Sequence, residues 1–585
     1  MIVPDPLRKS GIYGCFRLDG GPVEAGDAAA LGLDTGTVAR SAVAQGVDHH
    51  QPAAVQCRAV GAALTILVGQ IEEAPALAAR LGLAPAIPVA DLALAALQRF
   101  GGETHAEMIG EWSLLHWDGA RRLTLMQSAA RRDRLLFAIS GARVAVAPDI
   151  FPLARIPWIG AAMDEAGLLY ALGRADLRGM AGDRTMLARV RQLEPGGSVT
   201  IEPGGARRTA AAVLVPQPRW TGSFDDAVAA AEELLRRIMR ARLAHIARPA
   251  AMLSGGLDSS TLAWLAAEER GAGQDLLLMT SVAPPGSSRP DEAQFADLVA
   301  GRLGLTAMHL SPPHDANIYR PPLAVLTGAS GPPLPSRHCL TETFQQTARA
   351  AGATAIIDGT FGEMTVTRKL PHRPTFRRLL RQMAGEARRR LVAARNRDDN
   401  RFHVRLAPHR LADLPDCIAA RIAADAPAAR DEGELWGYLP GAAKSLHQPN
   451  EFYGGAIRAE YPYRDLRLLR LFAGFPAAFA THDKVDRAPV RRMIQGHLPE
   501  AIRLRPSGLP ASPDHLDRIR RQAPLARTRI ADFRRAGVDD WLDLDWLDAA
   551  LLRVGAQGAA GYVDANEVQM TAIVAEFLLW WRTQS

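Results

Sequence analysis

Up to about Pro218 the chain alternates short apolar runs with glycine and polar turns. GIYGCFRL, ALTILVGQI, EWSLLHWD, RLTLMQS, RLLFAIS and ARVAVAP each have the length and apolar content of a strand. Two stretches, APALAARLG and PVADLALAALQRFG, have helical spacing instead. This pattern predicts a β-rich α+β domain over residues 1–215, with PQPRW at 216–220 as a linker.

From Ser223 the period changes. FDDAVAAAEELLRRIMRARL predicts an amphipathic helix. Strand-like PAAMLSGG, DLLLMTSV, TAMHL and TAIIDG then alternate with helical segments: one from Ser259 to about Arg270, DEAQFADLVAGRLG and ETFQQTARAAG. Strands alternating with helices imply parallel βαβ units and a doubly wound α/β sheet over residues 216–585. Beyond about Met364 the pattern reads mostly helical. It includes an Arg-rich insert at about 368–410, which is either a solvated basic face or a dock for a peptide or partner protein.

Composition narrows the class. With 585 residues, 48% hydrophobic and 22% charged, the chain is globular and long enough for two to four domains at ~100–200 residues each. It has no run of about 18 apolar residues, so no membrane span is expected. The start, MIVPDPLRKSGIYG, does not read as a signal peptide, so a cytoplasmic location is expected. Cys15, Cys57, Cys339 and Cys417 are scattered without CxxC spacing, which predicts buried thiols rather than a zinc site or disulfide framework. The formal net charge is +7, yet lysine occurs only at 9, 369, 444 and 484. A basic balance permits acidic partners. The aromatic-interleaved basic strand of an RNA binder is missing, and no nucleic-acid partner is expected.

The segment richest in chemistry is Ser254-Gly255-Gly256-Leu257-Asp258-Ser259-Ser260, where a predicted strand meets a predicted helix. A helix start offers unpaired N–H groups and the positive end of the helix dipole, which suit a phosphate. Two glycines let the backbone approach an anion, the serines add hydroxyl donors, and Asp258 can hold Mg²⁺ through oxygen. Without Gly-Lys-Ser/Thr it is not a Walker A loop.

This heptad resembles the SGGxDS[ST] PP-loop of ATP pyrophosphatases, and the chain looks like the class B asparagine synthetase superfamily, most of all its lasso-peptide cyclases. ILVGQI at 66–71, GEWSLLHWD at 110–118 and VRQLEPG at 190–196 are similar to landmarks of that family's first domain. Asp358-Gly359-Thr360-Phe361-Gly362-Glu363 resembles its second loop, SGxGxD. Ala459 to Asp465, AEYPYRD, resembles its ExRxPFxD segment, and Lys484, Arg487 and Arg491 the basic series that follows. The resemblance implies an Ntn-glutaminase-like first domain and a PP-loop, adenine nucleotide α-hydrolase-like synthetase domain. ATP and Mg²⁺ are the implied cofactors. Nucleotide contacts are expected from Ser254, Gly255, Gly256, Asp258, Ser259, Ser260, Ser281, Val282, Gly359 and Arg487, with Ser281 and Val282 bordering adenine. Asp258 and Glu363 are the expected metal ligands, and Glu460, Lys484 and Arg505 the expected catalytic groups.

Three departures shape the reading. Position 2 is Ile2, where glutamine-dependent members carry the nucleophilic Cys, so glutaminase chemistry is not expected. Phe361 replaces a usual glycine and Glu363 a usual Asp. Ser507 occupies the place of a catalytic lysine, leaving Arg505 or Lys484 to supply positive charge; an arginine can stabilise an oxyanion but cannot shuttle a proton. The resemblance implies that a carboxylate attacks ATP, that pyrophosphate leaves, and that an amine captures the acyl-adenylate as an amide. The first expectation is a lasso cyclase, which joins the core N-terminal amine of a precursor peptide to an Asp or Glu side chain, with a leader peptidase as partner. A small-molecule amide or β-lactam synthetase and a non-catalytic peptide-binding scaffold are the alternatives.

Overall fold

The structure is a computed structural model. It describes residues 9–34, 41–49, 52–130, 134–174, 177, 181–209, 218–271, 275–328, 331–369, 402–416, 418, 457–506, 508–556 and 562–584. Most of the Arg-rich insert (370–401), Lys444, Cys417, Ser507, Ile2 and residues 216–217 of the linker lie outside these.

Eleven strands form two antiparallel sheets among the described residues. One has the order β2 (Ala42–Val47), β1 (Gly11–Arg17), β8 (Arg143–Ala147), β7 (Leu136–Ser140), β9 (Arg191–Gln192). The other runs β11 (Gly205–Thr209), β10 (Ser198–Glu202), β6 (Leu123–Gln127), β5 (Gly110–Trp117), β4 (Ala63–Ile71), β3 (Val55–Val60). Side chains two apart along a strand share a face. Accordingly Ile12 and Phe16, Ile66 and Val68, Leu115 and Trp117, and Val144 and Val146 meet in a dry core between the sheets. The alternate residues face outward. Leu67, Trp112 and Leu114 pack on helix α1 (Val89–Phe100), while Tyr13, Cys15 and Ala145 join a core shared with Phe577 and Leu578 of the last helix. The result is four layers, helix–sheet–sheet–helix. The six strands expected from apolar runs are present. Five strands were not expected: β2, β3 and β11 are half-exposed or exposed and lack an apolar run, β9 has two residues, and β10 is largely buried but carries only two apolar residues. Cys15 and Cys339 are buried, but Cys57 is exposed on edge strand β3, contrary to the expectation of buried thiols.

Helix α2 (Phe224–Leu243) opens the next unit. Ser223 accepts from the Asp226 N–H at 3.1 Å while Asp226 accepts from the Ser223 N–H at 3.1 Å, a reciprocal capping box. A five-stranded, all-parallel sheet follows, ordered β14 (Ala307–Leu310), β13 (Leu277–Ser281), β12 (Pro249–Met252), β15 (Ala355–Ile357), β16 (Arg458–Glu460). Helices cover both faces. α3 (Leu257–Arg270) and α4 (Ala293–Arg302) lie on one side with α2, and α5 (His338–Ala350) lies on the other. Strand order reverses between β12 and β15, which opens a crevice at their carboxyl ends, where open α/β sheets bind ligands. β16 was not expected, because three residues are too short to break a helical-looking pattern. The hairpin of β17 (Thr481–His482) and β18 (Val485–Asp486) was missed for the same reason.

Ser223→Ala should lower unfolding free energy by about 1 kcal/mol, the usual loss on removing a serine N-cap. Urea unfolding followed by circular dichroism checks it, with an unchanged slope expected.

Candidate active site

The Ser254–Ser260 loop lies in that crevice. β12 ends at Met252, and α3 begins at Leu257 with Gly256 as N-cap and no side chain capping it. A helix of fourteen residues thus presents the positive end of its dipole to the crevice. Gly255 has φ +65°, and a Cβ there would lie 2.7 Å from the Phe295 carbonyl carbon at the start of α4. Only glycine fits both constraints. Ser254 and Ser259 hold the turn together: their Oγ atoms are 3.0 Å apart, and the Ser254 N–H donates to Ser259 Oγ at 3.1 Å. The Oγ atoms of Ser260, fully buried, and of Ser281, at the end of β13, are buried without a hydrogen-bond partner among the described residues. Buried hydroxyls seldom stay unsatisfied, and their orphaned state fits a ligand rich in acceptors. Val282, next to Ser281, donates its N–H to the Leu310 carbonyl at 2.9 Å, which ties the end of β13 to that of β14.

The second loop, after β15, closes on Asp258. A Cβ on Gly359 would sit 3.1 Å from the Ser259 nitrogen, and one on Gly362 would sit 1.8 Å from Asp258 Oδ1. Phe361, where the resembling family has a glycine, keeps a glycine-like backbone with φ 77°. A non-glycine residue thus holds a backbone conformation that its side chain disfavours. Thr367 Oγ1 donates to Asp258 Oδ1 at 2.7 Å, and the Tyr463 hydroxyl donates to the Asp258 carbonyl at 3.0 Å. Burial pushes the Asp258 carboxyl up to about 6. The Thr367 hydrogen bond opposes this, the nearby Glu363 charge adds to it, and the Arg487 charge counters it. A carboxylate whose proton affinity is raised by burial and by a neighbouring carboxylate is a site a divalent cation would relieve. No group of three or more His, Cys, Asp or Glu gathers among the described residues. Asp258 and Glu363 thus suit Mg²⁺, which commonly takes one or two carboxylates and completes its shell with phosphate oxygens and water.

The basic residues are bound up in holding the site. Arg505 is buried. It donates to the carbonyls of Ser254 at 3.3 Å and Gly255 at 3.2 Å, pairs with Glu292, and lies 3.9 Å above the Phe295 ring. Asp486 is a hub for Arg491 at 3.1 Å, Arg487 at 3.4 Å and Lys369 at 3.6 Å. Arg491 also donates to the Arg503 and Arg505 carbonyls and Arg487 to that of Pro506, so this hub fixes the strand of chain that flanks position 507. Lys484 is exposed at the tip of the β17–β18 hairpin. With Asp483 it forms a two-residue turn whose φ values, 50° and 63°, are both left-handed. Glu460 is fully buried and pairs with Arg242 at 2.9 Å and with Arg458. The crevice therefore gathers Ser254–Ser260, Ser281, Gly359, Glu363, Arg487 and Arg505. Lys484 and the Glu460 carboxylate stand apart from it in their contacts. Thr367, Tyr463, Glu292 and Asp486 were not singled out from sequence, and Lys369 was noted only as one of four lysines. Tyr463 lay inside the quoted AEYPYRD segment, and that was its only signal.

One comparison with known proteins bears on this chemistry. Residues 230–434 match the asparagine synthase family. This part of the chain is an asparagine-synthetase-like, ATP-dependent amide ligase domain. No curated protein matches the sequence. Among solved structures, the chain is similar to glutamine phosphoribosylpyrophosphate amidotransferase from B. subtilis, complexed with ADP and GMP, at 13% identity and a TM-score of 0.23, over 60% of this chain and 76% of that one. A structure described as the allosteric regulatory enzyme of purine biosynthesis shows 12% identity and a TM-score of 0.22, over 60% of this chain and 75% of that one.

Asp258 predicts a trade of stability for function. Its carboxyl is raised in the folded state, so its burial costs nothing below about pH 4, where both states are protonated. The cost grows as pH rises and is complete above about pH 6. A shift of about two units corresponds to about 3 kcal/mol. Asp258→Asn should therefore stabilise the protein by roughly that amount at pH 8 and by little at pH 4, as read by urea unfolding at both. Gly362→Ala should abolish calorimetrically measured Mg·ATP binding while leaving the far-ultraviolet circular dichroism intact.

Proposed function

We propose, starting from the ATP-dependent amide ligase domain just described, that this chain is a lasso-peptide cyclase: it activates an Asp or Glu side chain of a precursor peptide and closes a macrolactam with the core N-terminal amine. One observation carries the choice of a peptide. The Arg-rich stretch at about 368–410 begins one residue after Thr367, whose hydroxyl holds the Asp258 carboxylate. The positive charge of that stretch would attract an acidic peptide and raise its local concentration. The Arg505-Pro-Ser-Gly-Leu-Pro-Ala-Ser-Pro-Asp514 segment, similar to that of such cyclases, supports the same reading.

When bound, ATP would supply the activation: the carboxylate oxygen bonds to the α-phosphorus, the bond to the β-phosphate breaks, and pyrophosphate is the leaving group. Mg²⁺ would be held by Asp258 and Glu363. The protein's own part is positional. The uncapped start of α3 and the hydroxyls of Ser259 and Ser260 receive the pyrophosphate portion, and Ser281 and Val282 border the base. Arg505 orients the loop from behind. Bringing amine and activated carbonyl together and keeping water away are the remaining contributions. We assign residues 1–215 to an Ntn-glutaminase-like domain, a reading supported by its four layers, and residues 216–585 to the synthetase domain. The implied partners are the precursor peptide and a leader peptidase, in the cytoplasm. Among the described residues no helix is long and apolar enough to cross a membrane.

The test is mass spectrometry of a candidate precursor incubated with this protein, Mg·ATP and a leader peptidase, with Asp258→Ala as control. Loss of one water from the cleaved core, absent in the control, is expected. Pyrophosphate release with a small carboxylic acid but not with peptide would replace this reading with a small-molecule or β-lactam synthetase. Peptide binding without either signal would replace it with a scaffold.

A further inference from the structure

A buried cluster of charge joins the two antiparallel sheets' unit to the synthetase unit, outside the crevice. Its centre is Arg242, near the end of α2 and 5% exposed. Its Nη1 donates to Glu111 Oε1, on β5 of the first unit, at 2.6 Å and to Glu460 Oε2, on β16 of the second, at 2.9 Å. Its Nη2 lies 3.8 Å from Asp465 Oδ2. Asp465 in turn accepts from Arg467 at 2.8 and 2.9 Å, and Arg467 reaches back to Glu72 of the first unit. Glu111, Glu460 and Asp465 are all buried. An ion pair so deep is strongly weakened when one partner is removed, because the other charge is left uncompensated.

What the cluster grips matters most. Arg242 holds Glu460 and Asp465, the two ends of a six-residue segment, and Tyr463 lies between them. Tyr463 is fully buried and its hydroxyl donates to the Asp258 carbonyl at 3.0 Å. The Glu460 carbonyl accepts the N–H of Asp358, the residue that starts the second loop, at 2.9 Å. Both loops of the crevice therefore hang from a segment whose ends are fixed by Arg242, and Arg242 is fixed by Glu111 of the first unit.

We propose that Arg242 is a positioning residue of the nucleotide site, and that the first domain serves that site by anchoring Arg242 through Glu111. The first domain is then a structural part of the adenylating machinery, whatever its own chemistry. This rests on the nucleotide site assigned above, and its test is kept separate by reading nucleotide binding rather than amide formation. The probe is Mg²⁺ with α,β-methylene-ATP, titrated calorimetrically into the full chain. Glu111→Gln keeps the shape and removes the anchoring charge; Tyr463→Phe removes only the hydroxyl. Each should weaken binding by about tenfold, and the double variant should lose less than the product of the two, because they share the Tyr463 link to Asp258. Additive effects, or a Glu111→Gln protein that is folded and binds within twofold of wild type, would overturn the proposal. Should Glu111→Gln fail to fold, Glu111→Asp, which keeps the charge one methylene short, takes its place with an intermediate loss expected and an unchanged affinity as the contrary result. A wild type that binds no nucleotide overturns the site itself and this inference with it.

Discussion

The carboxylate of Asp258 sits at the first turn of α3, in a place that burial makes unfavourable for a charge. The surroundings are arranged to keep it there. Thr367 donates to it, Tyr463 holds its backbone carbonyl, and two glycines of the second loop let the chain pass within contact of it. A second carboxylate, Glu363, stands near enough to raise its proton affinity further. Glu363 is exposed, so the pair offers a divalent cation one carboxylate that the fold holds in place and one open to solvent.

Around this point the positive charges do structural work first. Arg505 is spent on the carbonyls of the Ser254–Gly255 turn and on Glu292, and Arg491 on the backbone near position 507. Each guanidinium presents several donors in a fixed plane, which is why arginine can hold several oxygens at once where lysine would hold one point. Arg242 applies the same chemistry across the seam between the two units. Lys369, by contrast, sits half-exposed beside Asp486, two residues beyond Thr367. It belongs to the corner of the site that the Arg503–Pro506 segment closes.

The parts legible in the sequence were those with a local cause. Apolar runs announced the strands whose faces are both covered, and the alternation of strand and helix announced the parallel sheet. The Ser254–Ser260 heptad could be read because its two glycines, its serines and its strand–helix junction all serve one local geometry. Edge strands such as β3 and β11 were hidden because exposure removes the apolar pattern. Thr367, Glu292 and Arg242 were hidden for another reason. Their partners lie far along the chain, and nothing in the residues around a threonine or an arginine tells which distant carboxylate it will meet. Phe361 is a further case: nothing in its side chain announced the left-handed backbone it takes in the loop that packs against Asp258.

The central claim is that ATP is split between its α- and β-phosphates at this crevice, with a carboxylate receiving AMP. The most direct measurement follows heavy oxygen placed in the substrate carboxylate. The account predicts one labelled oxygen in the AMP released and none in pyrophosphate. ADP and labelled inorganic phosphate would contradict it, since they would mean attack on the terminal phosphate and a different chemistry at the Asp258 loop.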